Sequence, residues 1–132
     1  MMPQPALAAR HVFVYGTLRA GGSNDIARYH PRPQRVGDGV IAGTLYDLGA
    51  YPGAVLGGEG SIRGEVYRIT PEVEAALDLL EGVAADGSGE YLKRELDVMV
   101  GPQGVMCLVY EIHPGRIEGR TAIDSGDWLA RG

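Results

Sequence analysis

The spacing of glycine constrains this chain more than any other feature. Glycine fills 21 of 132 positions, about twice ordinary usage. The glycines carry no G-X-Y period and form no low-complexity tract. They stand between short apolar runs, several of which alternate apolar and polar residues. Alternation of period two is a strand pattern, and glycine at such intervals supplies tight turns and close backbone approach. Residues 11–16 (HVFVYG) read as a strand. Residues 35–46 (RVGDGVIAGTLY) read as a strand bulged or bent at its glycines. "GAYPGAVL" (49–56) reads as a turn and a short strand, and 60–69 as an alternating strand. Residues 91–100 and 104–112 form a hairpin across "GPQG".

One segment breaks the pattern. Thr70 can cap a helix, Pro71 suits its first position, and Glu72 and Glu74 suit the positive end of its dipole. Val73, Ala76, Leu77 and Leu80 recur at helical spacing and form the buried stripe, and Gly82 stops the helix. A short helix over 23–29, capped by Ser23, is expected near the N-terminus. Strands outnumber helices and follow one another, so the prediction is an α+β fold whose mostly antiparallel sheet curls toward a barrel. Residues 1–10 read as a flexible N-terminal tail, and 11–132 as a single domain.

Composition narrows the partners. Hydrophobic residues make up 45% of the chain, which suits a globular core. The net charge of −5 and the lack of any Lys/Arg cluster argue against nucleic acid. No apolar run is long enough to span a bilayer, and no signal-peptide core is present, so a cytoplasmic protein with no membrane partner is expected. No long exposed apolar surface is evident, which favours a monomer. Cys107 is the one cysteine and sits in an apolar strand, as a packing residue. The three histidines have no metal-ligand spacing, there is no G-x-S-x-G elbow, and no cofactor motif is present.

Two segments can carry chemistry. Glu81 is read as the last helical residue, four positions after Leu77 and eight after Val73, at the edge of the apolar stripe. A carboxylate there is partly desolvated, which raises its pKa toward that of a general base at neutrality. By position alone it reads first as a helix-end glutamate whose stem covers the core. Asp78 is read as facing solvent. In "VYGTLR", the backbone at Gly16, Thr17 and Leu18 can aim several N–H groups at one spot, with Gly16 free to take a positive φ. That turn is either a nest for an anion or a turn alone.

Taken together, "VFVYGTLR", "YP" (51–52), "GEVY" (64–67), "LDLLEG" (77–82), "YLKR" (91–94) and "SGDW" (125–128) occur in one order. This resembles the γ-glutamylcyclotransferase-like family, in particular its small bacterial members and the γ-glutamylamine cyclotransferase (AIG2-like) branch, over residues 12 to 128. The resemblance implies a compact mixed β-barrel with flanking short helices. It implies that Tyr15, Gly16, Thr17 and Leu18 line the substrate pocket and that Glu81 is the catalytic acid/base. The implied reaction is intramolecular attack of the α-amine of a γ-glutamyl amine on its γ-carbonyl. The products are 5-oxoproline and a free amine, without metal or cofactor. The leaving amine is left open among an amino acid, a lysine ε-amine, a polyamine and an amine of secondary metabolism.

Asn24 and Tyr51 are further pocket candidates, each with a local turn role as the alternative. Tyr91 and Arg94 either shape the pocket floor or pack in a strand. Arg19 either attracts an anionic substrate or is a solvated charge, and Trp128 pins the tail to the barrel. The loop from Gly82 to Glu90 looks long and glycine-rich for the family and could serve as a lid. Two other readings stand beside the enzyme: a non-catalytic binding module for a small γ-glutamyl or carboxylate metabolite, and a structural protein with an exposed sheet edge.

Overall fold

A computed structural model describes residues 10–84 and 87–130. Its strands are β1 (Arg10–Val14), β2 (Gln34–Asp47), β3 (Pro52–Ile69), β4 (Tyr91–Val100), β5 (Gln103–Ile112) and the short β6 (Thr121–Ala122), and its helix is α1 (Pro71–Leu80). β1 lies antiparallel to β3, with Val12 opposite Tyr67, and parallel to β5, with Val12 opposite Leu108. β3 runs antiparallel along β2, β2 meets β4 at Val40 opposite Met99, and β4 and β5 form a hairpin. The ring β1–β3–β2–β4–β5 thus closes on itself as a mixed, mostly antiparallel five-stranded barrel. Closure removes the long free edges that an open sheet would present.

Alternation along the strands divides the core in two. Val12 and Val14 of β1, with Leu108, Tyr110 and Ile112 of β5, pack with Val73 and Leu77 of α1. Phe13 and Tyr15, with Cys107 and Val109, face the other way and pack with Ile41, Ile62, Val66 and Trp128. Burying Val73 and Leu77 is worth about 2 kcal/mol each and seats the helix on the barrel. Gly64 lets the barrel fill: a Cβ there would lie 2.3 Å from the Val14 carbonyl oxygen and 2.6 Å from the Phe13 ring. The β4–β5 turn is Gly101–Pro102, with Gly101 at φ +58°. Proline cannot follow with a second positive φ, which leaves the type II′ turn as the one that suits the sheet twist.

Several expectations are corrected. Arg10, placed in the N-terminal tail, is the first residue of β1 and donates to Glu95 at 2.9 Å; the rest of that tail lies outside the described residues. The strand pieces expected at 49–56 and 60–69 belong to one element, β3. The ladder jumps from Ala42 opposite Ser61 to Gly43 opposite Leu56, so residues 57–60 leave it as an exposed excursion. Gly57 and Gly58, both at positive φ, make that excursion possible. The helix expected over 23–29 is a single 3-10 turn, Ile26–Arg28. Asp25 caps it in place of Ser23, because its carboxylate accepts from the N–H groups of both Ala27 and Gly21 at 2.9 Å.

Candidate active site

The loop after β1 and the end of α1 meet over one cavity of about 270 Å³, at the small end of ligand sites. Tyr15, Gly16, Thr17, Leu18, Asn24, Tyr51, Glu81 and Tyr91 all line it, together with Ser23, Leu80, Glu90 and Tyr110. Arg94 does not; it pairs with Glu111 at 3.0 Å on the outside.

Local sequence explains how Glu81 comes to face the cavity. It is the C-cap of α1 rather than its last helical residue. Gly82, at φ +62°, donates to the Leu79 carbonyl at 3.2 Å, and Val83 donates to that of Asp78 at 3.1 Å. These two bonds make a Schellman motif, which only a residue tolerant of positive φ at Gly82 can close. The turn throws the Glu81 side chain off the solvent face and into the cavity. Burial first, and the negative charge of Glu90 second, push its carboxyl from 4.5 up to about 7. Among the described residues no group donates a hydrogen bond to that carboxyl.

The opposite wall is the loop from Tyr15 to Leu18. Its N–H groups at Gly16, Thr17 and Leu18 find no protein acceptor among the described residues, while its carbonyls accept from Arg19, Asn24 and Ile26 at 2.9–3.0 Å. Asn24 also donates its side-chain amide to Thr17 Oγ1 at 3.2 Å. Gly16 does not use a positive φ, contrary to expectation. Its value is close approach: a Cβ would sit 2.6 Å from Pro52 Cγ.

The tyrosines are structural donors. Tyr15, fully buried, donates to the Tyr110 carbonyl at 2.5 Å and accepts from Ala54 N–H at 3.3 Å. Tyr91 donates to the Pro52 carbonyl at 2.7 Å, and Tyr110 to Asp78 Oδ1 at 2.7 Å. Burial drives all three phenols far above their usual range, so none exchanges a proton near neutrality. Asp78 is therefore not a plain surface residue, since it holds Tyr110 and accepts from Lys93 Nζ at 2.9 Å. Leu80, expected in the buried stripe, is half-exposed at the cavity edge.

Glu90 is the residue that sequence reasoning missed. Its carboxylate accepts the Tyr51 hydroxyl proton at the cavity rim. Its backbone is fixed at both ends, donating to the Gly82 carbonyl at 3.1 Å and accepting from His113 N–H at 2.9 Å. The bond to Gly82 folds the loop back so that residues nine apart share a cavity. Gly89 permits this, because a Cβ there would lie 2.0 Å from the Gly82 carbonyl oxygen. The lid expected over Gly82–Glu90 falls partly on residues 85–86, outside the described residues.

Arg19 is neither a substrate handle nor a solvated charge. Its guanidinium is part-buried, bonding Glu65 at 2.9 Å and Asp127 at 2.7 Å. Trp128 is packed in the barrel core. Cys107 is buried, its thiol pushed up to about 11 by burial, so it is a packing residue. No group of His, Cys, Asp and Glu suited to a metal ion occurs among the described residues. No helix among them is long and apolar enough to cross a membrane.

Comparison with known proteins places the chain in a family. Residues 12–130 match the family described as gamma-glutamyl cyclotransferase, AIG2-like. The chain is 39% identical over 121 residues to the gamma-glutamylcyclotransferase family protein YtfP of Escherichia coli K12, covering 91% of this chain and 96% of that one. The solution structure of ytfP from Escherichia coli superposes with a TM-score of 0.68 at 38% identity, over 92% of this chain and 97% of that chain. An AIG2-like protein from Mus musculus superposes with a TM-score of 0.70 at 27% identity, over 83% of each chain. The cavity between the Tyr15–Leu18 loop and Glu81 is thus set in a barrel shared with these proteins, and the chain belongs to the gamma-glutamyl cyclotransferase, AIG2-like family.

Proposed function

We propose that the protein is a cyclotransferase that converts a γ-glutamyl amine to 5-oxoproline and the free amine. One observation carries the reading. A carboxyl poised at about 7 faces, across a cavity whose phenols are already committed, backbone donors that have no acceptor among the described residues. The N–H groups of Gly16, Thr17 and Leu18 hold the substrate's α-carboxylate or the oxyanion that develops on the γ-carbonyl. The curled substrate brings its α-nitrogen to that carbonyl, and fixing this conformer supplies much of the rate. Glu81, ionised, takes a proton from the α-ammonium. The freed amine attacks, Glu81 gives the proton to the leaving nitrogen as the tetrahedral centre collapses and that bond breaks, and Glu81 then carries the second proton from the new ring nitrogen to the released amine. Two protons leave the α-nitrogen in all and two reach the leaving nitrogen, so charge balances and Glu81 ends as it began.

The test is 5-oxoproline release from a panel of γ-glutamyl amino acids, γ-glutamyl-ε-lysine and γ-glutamyl polyamines. Wild type should release it. Glu81→Gln, with the same cavity and no proton to exchange, should lose about 10²- to 10⁴-fold in turnover. Wild-type rates from Glu81→Gln would remove Glu81 from the mechanism. Silence from the folded wild type, with thermal stabilisation by glutamate or 5-oxoproline, would leave a binding protein instead.

A further inference from the structure

We propose that Glu90 and Tyr51 form a subsite for the leaving group, and that the amine this protein releases carries a second positive charge. The inference rests on the cyclotransferase reading of the same cavity. The glutamyl head uses the inner wall: its α-carboxylate or oxyanion matches the Gly16–Leu18 amides, and its α-ammonium matches Glu81. A carboxylate at the rim then remains. No Lys, Arg or His among the described residues lies within ion-pair distance of Glu90. Among the described residues no basic side chain lines the cavity. A part-buried carboxylate without a cation is costly, and a substrate ammonium removes that cost. Tyr51 is half-exposed and stands at the mouth, where the leaving group exits. Its ring lies 6.5 Å from that of Tyr91, tilted by 50°, which gives an aromatic wall along which an alkyl ammonium can pass. The Glu90 backbone is anchored, because its N–H donates to the Gly82 carbonyl and its carbonyl accepts from His113 N–H. Arg116 and Arg120, both exposed, act on Tyr51 through space.

The experiment compares three γ-glutamyl amides of equal length, whose leaving groups are an α,ω-diaminoalkane, the isosteric n-alkylamine and the matching ω-amino acid. Release of 5-oxoproline is followed with wild type and Glu90→Gln. Wild type should prefer the diamine over the alkylamine in kcat/KM by at least about tenfold, the size of a charged hydrogen bond made in a part-buried site. Glu90→Gln should bring that ratio close to one. The ratio is the proper readout, since Glu90 also acts on Glu81 and that effect divides out between substrates. A ratio near one in wild type, or an unchanged ratio in Glu90→Gln, overturns the subsite. Preference for the ω-amino acid also overturns it, and assigns the rim to Arg116 and Arg120. A second arm separates this from failure of the reaction: calorimetric binding of the same amides to the Glu81→Gln protein, with and without Glu90→Gln. Tighter binding of the diamine amide that Glu90→Gln removes upholds the subsite even if no amide turns over. Equal affinities overturn it.

Discussion

At the scale of single residues, the pressing fact is that Glu81 stands in a place that destabilises its charged form. Its carboxyl titrates near 7 in the folded chain against 4.5 without the fold. Between those values the native state holds a proton that the unfolded chain has lost. Protons therefore favour folding there, and stability falls as pH rises from about 4.5 through about 7, then levels off. The gap corresponds to roughly 3 kcal/mol at most. Glu81→Gln, which never ionises, should match wild type in thermal unfolding near pH 4.5 and exceed it above pH 7. A melting difference that is flat with pH would show that Glu81 is well solvated. On the proposed mechanism the same ionisation should give kcat/KM an acid limb rising through about 7, because a base must start unprotonated. Glu81 was legible in the sequence, since helical spacing from Val73 and Leu77 put it at the core's edge. Glu90 was not, because its place depends on a loop folding back to Gly82, and no periodicity encodes that bond.

At the scale of elements, legibility follows periodicity. Strands β1 and β5 carry apolar runs, β4 an apolar run at its end, and helix α1 an apolar stripe with a cap, and they form close to where those signals lie. β3 reads as two pieces because Gly57, Gly58 and Gly60 interrupt its pattern, whereas its partner β2 passes the gap with a single register shift. The 3-10 turn at Ile26 was misplaced because two capping residues, Ser23 and Asp25, compete, and tertiary geometry chooses between them. Glycines within strands also have a packing meaning that sequence hides. Gly64 admits the Phe13 ring between β1 and β3, so Gly64→Ala must push either that ring or the Val14 carbonyl. Overpacking of this kind costs about 2 kcal/mol. A lowered urea midpoint with an unchanged m-value is expected. No change would mean that β1 shifts freely, which its place between β3 and β5 opposes.

At the scale of the whole molecule, the question is what holds the cavity wall between Tyr15 and Leu18 against a closed barrel. The answer is one part-buried charged cluster, centred on a buried glutamate, that joins three distant parts of the chain. Glu65 of β3 is 2% exposed. It accepts from Arg19 Nε, Ala20 N–H and the Tyr67 hydroxyl, each at 2.9 Å. Arg19 in turn reaches Asp127, just before the buried Trp128, at 2.7 Å. The cluster thus pins the end of the loop to the barrel and the C-terminal segment to both. A buried pair of this kind contributes little against an apolar replacement, but losing one partner strands the other's charge. Arg19→Met should therefore cost about 3–5 kcal/mol in chemical denaturation. Adding Glu65→Gln to it should recover part of that loss, since glutamine still accepts from Ala20 and Tyr67 without a net charge. Strict additivity of the two substitutions would show that Arg19 and Glu65 are not coupled. A loop held in this way keeps its backbone at the cavity wall without help from substrate. The double variant should then regain stability faster than it regains a low KM, because the loop would be folded but no longer tied to Asp127.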